Sequence, residues 1–308
     1  MGSSRLLLFY WILPLIVANL SLGADPYFQS RCVDTAGNYT ANSAYQANLN
    51  TIFSHLTSHP DFNYGFYNLS AGQNPNHVNA IALCREDRNQ DECNTCLNET
   101  VSELRQLCPL YKEVVGWSEF CTLRYANRDL FGELETSPGS CLYNVQDVQN
   151  PDRFNQVLDN LLTNLSSLAA AGGPLRKYAA DNSTVGVFQI VYAMVQCSPD
   201  LSEQECGDCL SVAKDGIGGC CLGQRGCRIL RPSCFLSSSH TRRASGRYYR
   251  GRSSSLKHWL VIKRSPSTAA AAVSHPYPQT HHGDLSHPAK TSRRRQPRLP
   301  AFHKPKLS

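Results

Sequence analysis

A chain of 308 residues has room for two ordinary domains and a further segment. Its 14 cysteines are more than a reduced cytosolic protein carries, and its net charge of +6 hides an uneven split. Residues 237–308 hold 15 of the 30 Lys and Arg and one acid, Asp284, so that segment is +14 and the remainder −8, an acidic body with a basic tail. The chain opens with Met1, a cation at Arg5, an apolar run Leu6–Ala18, and small residues at Ser21 and Gly23. This is the layout of a secretory signal peptide over residues 1–23, and the apolar run of 13 residues is too short for the rival reading, a signal anchor. In an oxidising compartment paired cysteines read as disulfides, and the sequons at Asn38, Asn68, Asn98, Asn164 and Asn182 become glycosylation candidates.

The body is then written twice. Cys84, Cys93, Cys96, Cys108 and Cys121 recur 113 residues later as Cys197, Cys206, Cys209, Cys221 and Cys234. The front of each copy runs at a shorter offset, 109, which relates Cys32 to Cys141. It also relates the helical face Tyr45, Leu49, Ile52, Phe53, Leu56 to Phe154, Leu158, Leu161, Leu162, Leu165. The four extra residues are expected in a loop within 166–185, where AAAGGP sits. The apolar stretches before Cys84 and Cys197 fit helix or strand. A second helix is expected around each CxxC, and strands at Tyr111–Val115, Phe120–Tyr125, Arg228–Leu230 and near Cys234. Each copy thus reads as a small α+β unit, an antiparallel sheet on two helices stapled by disulfides. The domains are 27–130 and 141–236, joined by linker 131–140, with Leu130 and Phe131 expected at the contact between units. Residues 237–308, rich in Ser, Pro and Arg, read as a disordered tail. After residue 24 no apolar run is long enough for a transmembrane helix.

The repeated C-x8-C-x2-C spacing, with LRYANRDLFG after the first unit and VQCSPDLSEQECGDCL in the second, resembles the ginkbilobin-type, or stress-antifungal, domain. Paired copies of that domain occur in plant cysteine-rich repeat secretory proteins, in cysteine-rich receptor-like kinase ectodomains and in plasmodesmata-located proteins. The resemblance covers residues 27–236 and implies the bridges Cys32–Cys108, Cys84–Cys93, Cys96–Cys121, Cys141–Cys221, Cys197–Cys206 and Cys209–Cys234. Cys220 and Cys227 remain and are expected to pair. The family's mannose site uses an Asn after the first cysteine, an Arg before the last and a Glu after it. Those positions are Val33, Val115 and Ala126 in the first unit and Leu142, Arg228 and Ser239 in the second, so Arg228 is the one carbohydrate-binding candidate. Related units also continue past the last cysteine with an Arg-Tyr-Glu-like strand. Leu123-Arg124-Tyr125 matches it, but Cys234-Phe-Leu-Ser-Ser-Ser does not. The second unit is therefore expected to lack its last strand, with a shifted frame or retained intron near residue 236 as the origin of the tail.

Catalytic chemistry finds little support. The CxxC pairs are expected to be structural rather than a zinc or redox site, since each belongs to its own repeat. His55, His59 and His77 have no serine or cysteine motif beside them, and Glu133 and Glu135 read as solvated linker carboxylates. No metal, cofactor or nucleic acid is expected. The reading is a secreted, non-enzymatic recognition protein of the plant apoplast, active in stress or defence. Its partner is an extracellular protein, a cell-wall glycan or a receptor-like kinase. The alternatives are a receptor-kinase ectodomain truncated before its kinase and an antifungal lectin.

Overall fold

The computed structural model describes residues 27–58, 63–187 and 189–242. The signal-peptide segment 1–23, His59 and tail residues 243–308 lie outside the described residues. The first unit runs β1 (Gln29–Cys32), α1 (Ala44–Thr57), β2 (Phe66–Ala71), β3 (Val78–Cys84), α2 (Gln90–Leu107), β4 (Val114–Trp117) and β5 (Cys121–Ala126). The second repeats it as β6 (Ser140–Tyr143), α3 (Pro151–Ala170), β7 (Tyr178–Gly186), β8 (Gln189–Cys197), α4 (Glu203–Cys220), β9 (Gly226–Leu230) and β10 (Cys234–Arg242). The sheets have matching orders, β1-β4-β5-β3-β2 and β6-β9-β10-β8-β7, with every pair antiparallel.

Local chemistry sets these elements. The side chain of Ser43 caps α1 by accepting from the Gln46 amide, and the five apolar residues read as its face are all buried. Both motif helices begin with a capping box, Asn89 with Glu92 and Ser202 with Glu205. The apolar stretches before Cys84 and Cys197 are strands, β3 and β8, buried almost throughout because helices cover one face and the other unit the opposite face. The four extra residues of the second copy do not lengthen a loop. They extend α3 through Ala170, where Ala169 and Ala170 pack into the core and hold the added turn.

The C-x8-C-x2-C spacing is the length of a strand end, a capped turn and a helix start. Cys84 closes β3 and bonds Cys93 in α2, and Cys96, one helical turn on, bonds Cys121 of β5. Cys197–Cys206 and Cys209–Cys234 repeat this, and Cys32–Cys108 ties β1 to the end of α2. The remaining pairing differs from expectation. Cys141 bonds Cys220, not Cys221, and Cys221 bonds Cys227 rather than leaving it to Cys220. The repeat offset aligns Cys221 with Cys108, but α4 carries its last helical residue, Cys220, to β6, and Cys221 turns as the helix cap toward β9. The sulfurs of Cys141, Cys220 and Cys221 lie within 4.8 Å of one another, so adjacent residues compete for one partner.

A second correction concerns the end of the second unit. The expected loss of a strand after residue 236 does not occur. Residues Cys234–Arg242 form β10, the centre strand, paired with β8 on one side and β9 on the other. Leu236 faces the helices and Phe235 the opposite side, and Ser237-Ser238-Ser239 supply backbone donors and acceptors with no proline to interrupt the ladder. The second unit thus runs through Arg242, past the boundary expected at residue 236.

The outer faces of the two sheets meet. Val115 and Trp117 of β4 pack with Leu142, Met194, Leu230 and Phe235 of the second unit. The Gln196 side chain donates to the Cys84 carbonyl at 3.0 Å. Leu130 is buried, but on Phe66, Ile81 and Ala126 of its own unit, while Phe131 is 57% exposed. Neither Leu130 nor Phe131 belongs to the apolar cluster between the units; the sheet faces form it instead.

Candidate functional site

The cavity of interest opens at the end of the second sheet where β6, β9 and β10 run side by side, with a volume of about 370 Å³. In the register of these strands Leu142 lies opposite Arg228, Arg228 opposite Ser237, and Gly226 opposite Ser239. Leu142, Arg228 and Ser239, distant in sequence, therefore line one wall. Arg85 and Glu119 of the first unit line the other, and Tyr27 closes the side.

The arginines are held by backbone as much as by charge. Arg228 Nη2 donates to the carbonyls of Ser118 and Glu119 at 3.2 and 3.3 Å, and its guanidinium lies 6.0 Å from the Tyr27 ring centroid. The candidate sugar ligand is thus also a strut between the units. Arg225 is bonded to the Asp147 carbonyl at 3.1 Å and to Gln146 Oε1 at 2.9 Å. Arg85 donates two bonds to Asp87, at 3.0 and 2.7 Å, and one to the Glu119 carbonyl at 3.3 Å, with Phe120 beneath it. Desolvation raises the Asp87 carboxyl, but hydrogen bonds from Arg88 and Arg85 outweigh it and hold Asp87 below its ordinary value. Three guanidinium groups against one lining carboxylate, with Tyr143, Asn144, Gln146 and three serines around them, make the cavity cationic and rich in hydrogen-bonding groups. Arg225, Tyr143, Asn144 and Gln146 carried no motif; only their nearness in sequence to Cys141 and Cys227 pointed to them.

The equivalent positions of the first unit form no such wall. Val115 is 4% exposed inside the packing between units, and Ala126 is buried under Leu130.

The other candidates separate. His55 is exposed at the end of α1. His77 meets a serine after all, its Nε2 lying 2.7 Å from Ser70 Oγ, with Asn79 Nδ2 3.5 Å from Nδ1. Asn79 Nδ2 also donates to the Arg128 carbonyl, which fixes it as a donor. The two Asn79 Nδ2 hydrogens go to the nearer Arg128 carbonyl at 2.9 Å and Asp129 Oδ1 at 3.3 Å, so the Ser70–His77 pair lacks the third group that would orient the imidazole as a base. Glu133 is exposed, but Glu135 is not a solvated carboxylate. It accepts from the buried Arg124 at 3.0 Å and its amide donates to Ser233 Oγ at 2.9 Å. Desolvation lowers the Arg124 guanidinium from its ordinary value, against the pull of Glu135. Among the described residues, the cluster with metal-ligand geometry is Cys141, Cys220 and Cys221, and disulfides occupy all three sulfurs. Asn38, Asn68, Asn164 and Asn182 are exposed, whereas Asn98 is half-buried and its sequon partner Thr100 is buried against Ser118. Among the described residues no helix is long and apolar enough to cross a membrane.

Comparison with known proteins matches residues 31–128 and 140–241 to the salt stress response/antifungal domain, once per unit. Cysteine-rich receptor-like protein kinase 29 of Arabidopsis thaliana is 42% identical over 213 residues, which cover 68% of this chain and 31% of that protein. The chain therefore spans about a third of the receptor-like kinases it matches. Cysteine-rich repeat secretory protein 38 of the same plant is 32% identical over 76% of this chain and 95% of its own length. An antimicrobial ginkbilobin-2-like protein of Castanea crenata is 37% identical over 64% of this chain and 80% of its own. The crystal structure of the tandem DUF26 ectodomain of the Arabidopsis thaliana receptor-like protein PDLP8 superposes with a TM-score of 0.59 at 24% identity. It covers 68% of this chain and 95% of that one.

Proposed function

Because this chain belongs to the salt stress response/antifungal family, with two domains in tandem, we propose that it is a secreted, non-catalytic recognition protein of the plant apoplast that takes a cell-wall saccharide in the cavity of its second domain. The observation that carries this reading is the meeting of Leu142, Arg228 and Ser239 on one wall of a cationic, hydroxyl-lined cavity. Guanidinium groups pair with carboxylates in a planar fork, and Tyr and Ser hydroxyls and Asn and Gln amides suit sugar hydroxyls. An acidic saccharide fits this lining better than a neutral hexose, since Arg228 here has no Asn or Glu at the two companion positions. Titration calorimetry of the secreted chain against oligogalacturonides and against mannosides tests the reading. Binding of the acidic series, lost in Arg225→Ala, is the expected result. No heat from either series, or binding indifferent to Arg225, overturns it.

A second reading is favoured by the 42% identity to part of a receptor-like kinase. In it the tandem acts as the sensing portion of such a receptor or as its soluble competitor. Capture of a receptor-like kinase ectodomain by this chain, with saccharides inert, would select it.

A further inference from the structure

We propose that N-linked glycans on Asn68 and Asn182 guard the two long free edges of the sheets and keep the protein from pairing edge to edge with a second copy. The proposal rests on the secretory reading, since only that route attaches the glycans.

Among the described residues the tandem has four edge strands. Two are short, β1 and β6 with four residues each, and they lie together at the join of the units, where Ser140 Oγ bonds Gln29 Oε1 at 3.2 Å. The other two, β2 with six residues and β7 with nine, end their sheets on the far side. An unpaired row of amides and carbonyls is a template for another strand, and proteins blunt it with lysine, proline, bulges or a cover. The sequence of β2, FYNLSA, has neither charge nor proline, and that of β7, YAADNSTVG, has one charge, Asp181, and a bulge only at its far end, between Thr184 and Gly186. Val187, just beyond β7, is 81% exposed.

The sequons fill this gap. Asn68 lies mid-strand in β2 opposite Ile81, and Asn182 mid-strand in β7 opposite Tyr192. In each, the sequon hydroxyl residue, Ser70 or Thr184, is two positions on, on the same face and exposed. Both asparagines point away from the helices of their own unit, since Tyr67, next to Asn68, and Ala179, three residues before Asn182, point toward those helices. The Asn182 amide already bends to Asp181 Oδ1 at 2.7 Å, a second local block on that edge. A strand adding to either edge must approach to roughly 4.8 Å, which a hydrated glycan rooted on the edge prevents.

The test uses the full chain secreted from a eukaryotic host. Peptide mapping after enzymatic glycan release should show conversion of Asn to Asp at 68 and 182. Sedimentation should show wild type as a monomer and Asn68→Gln/Asn182→Gln with about a twofold or larger rise in mass. Asn38→Gln/Asn164→Gln, which removes sequons away from both edges, should leave the mass unchanged. Asn68→Lys/Asn182→Lys should restore the monomer, because charge on an edge does the same work as a glycan. Should the Gln variant fail to fold, Ser70→Ala/Thr184→Ala, which abolishes both sequons without adding a charge, gives the same readout. Unoccupied Asn68 and Asn182, a monomeric Gln variant, or equal association after loss of Asn38 and Asn164 overturns the proposal. Failure of secretion overturns the secretory reading and this proposal together, whereas a secreted, glycosylated chain whose Gln variant stays monomeric overturns the edge role alone.

Discussion

Trp117, on the outer face of the first sheet, donates its indole Nε1–H to the backbone carbonyl of Arg231 in the second unit at 3.0 Å. The indole is buried, and its ring packs with Leu230 and Phe235, so one side chain supplies both apolar area and a hydrogen bond to the joint. Trp117→Phe should keep most of the packing and lose the bond, at a cost of about 1 kcal/mol, while Trp117→Ala should cost about 3–5 kcal/mol. Urea unfolding followed by circular dichroism measures both. Equal losses from the two variants would mean that packing adds nothing to the hydrogen bond at this contact.

Arg124 is 2% exposed and Glu135 is its carboxylate partner. Removing the carboxylate leaves a buried cation with the Ser233 hydroxyl and the Asp200 charge as its remaining compensation. Glu135→Gln should therefore destabilise by about 3–5 kcal/mol, and Arg124→Leu with Glu135→Leu by much less. Thermal unfolding of the single and double variants checks this. The double variant unfolding earlier than Glu135→Gln would contradict it.

Asp87 sets an acid limit. Its folded value lies below the ordinary 3.8, so the stability it adds is fully present above that ordinary value and is lost as pH falls through the depressed one. Unfolding midpoints measured from about pH 6 to pH 2 should fall over this range. In Asp87→Asn the acid limb should flatten while stability at neutral pH drops, because Arg85 and Arg88 lose their shared carboxylate.

The two corrected bridges close loops of very different length, with sequence separations of 79 for Cys141–Cys220 and 6 for Cys221–Cys227. By loop-closure entropy the first contributes about 4.5 kcal/mol and the second about 2. Cys221→Ser/Cys227→Ser should then be secreted with Cys141–Cys220 intact, and Cys141→Ser/Cys220→Ser should suffer the larger loss. Intact mass under non-reducing conditions and unfolding midpoints report both. If Cys221 rather than Cys220 is found bonded to Cys141, the pairing follows the repeat offset instead of the helix end.

Gly65 takes a positive φ of 75°, and a Cβ there would come within 2.9 Å of the Cys84 Cβ, beside the Cys84–Cys93 bridge. Gly65→Ala should cost about 1–3 kcal/mol in a melting experiment, through strain and displacement together. An unchanged melting temperature would show that the turn adapts.

Much of this architecture was legible because it is periodic. Leu49, Ile52, Phe53 and Leu56 repeat at helical spacing, and their buried face follows from that alone. The cysteine spacing carried the helix start and the strand end with it. What stayed hidden depends on contacts between distant residues. Arg124 reads as an ordinary strand residue until Glu135 and Ser233 are beside it. Ser237, Ser238 and Ser239 are weak strand formers, and the two neighbouring ladders override that preference. Cys220 and Cys221 are adjacent, so no spacing rule could say which one the helix end presents. At the cavity, the sequence pointed to Arg228 but not to the carbonyls of Ser118 and Glu119 that hold it.

The burial of Val115 between the units bears on the stoichiometry of the proposed binding. In the tandem the first domain's counterpart of Arg228 is mortar in the joint, whereas Arg228 reaches the cavity while it braces the Ser118 and Glu119 carbonyls. On the proposed saccharide-binding reading, one chain should therefore saturate with one equivalent of ligand rather than two. Avidity for a repeating polymer must then come from several chains on one strand of that polymer, not from the two halves of one chain.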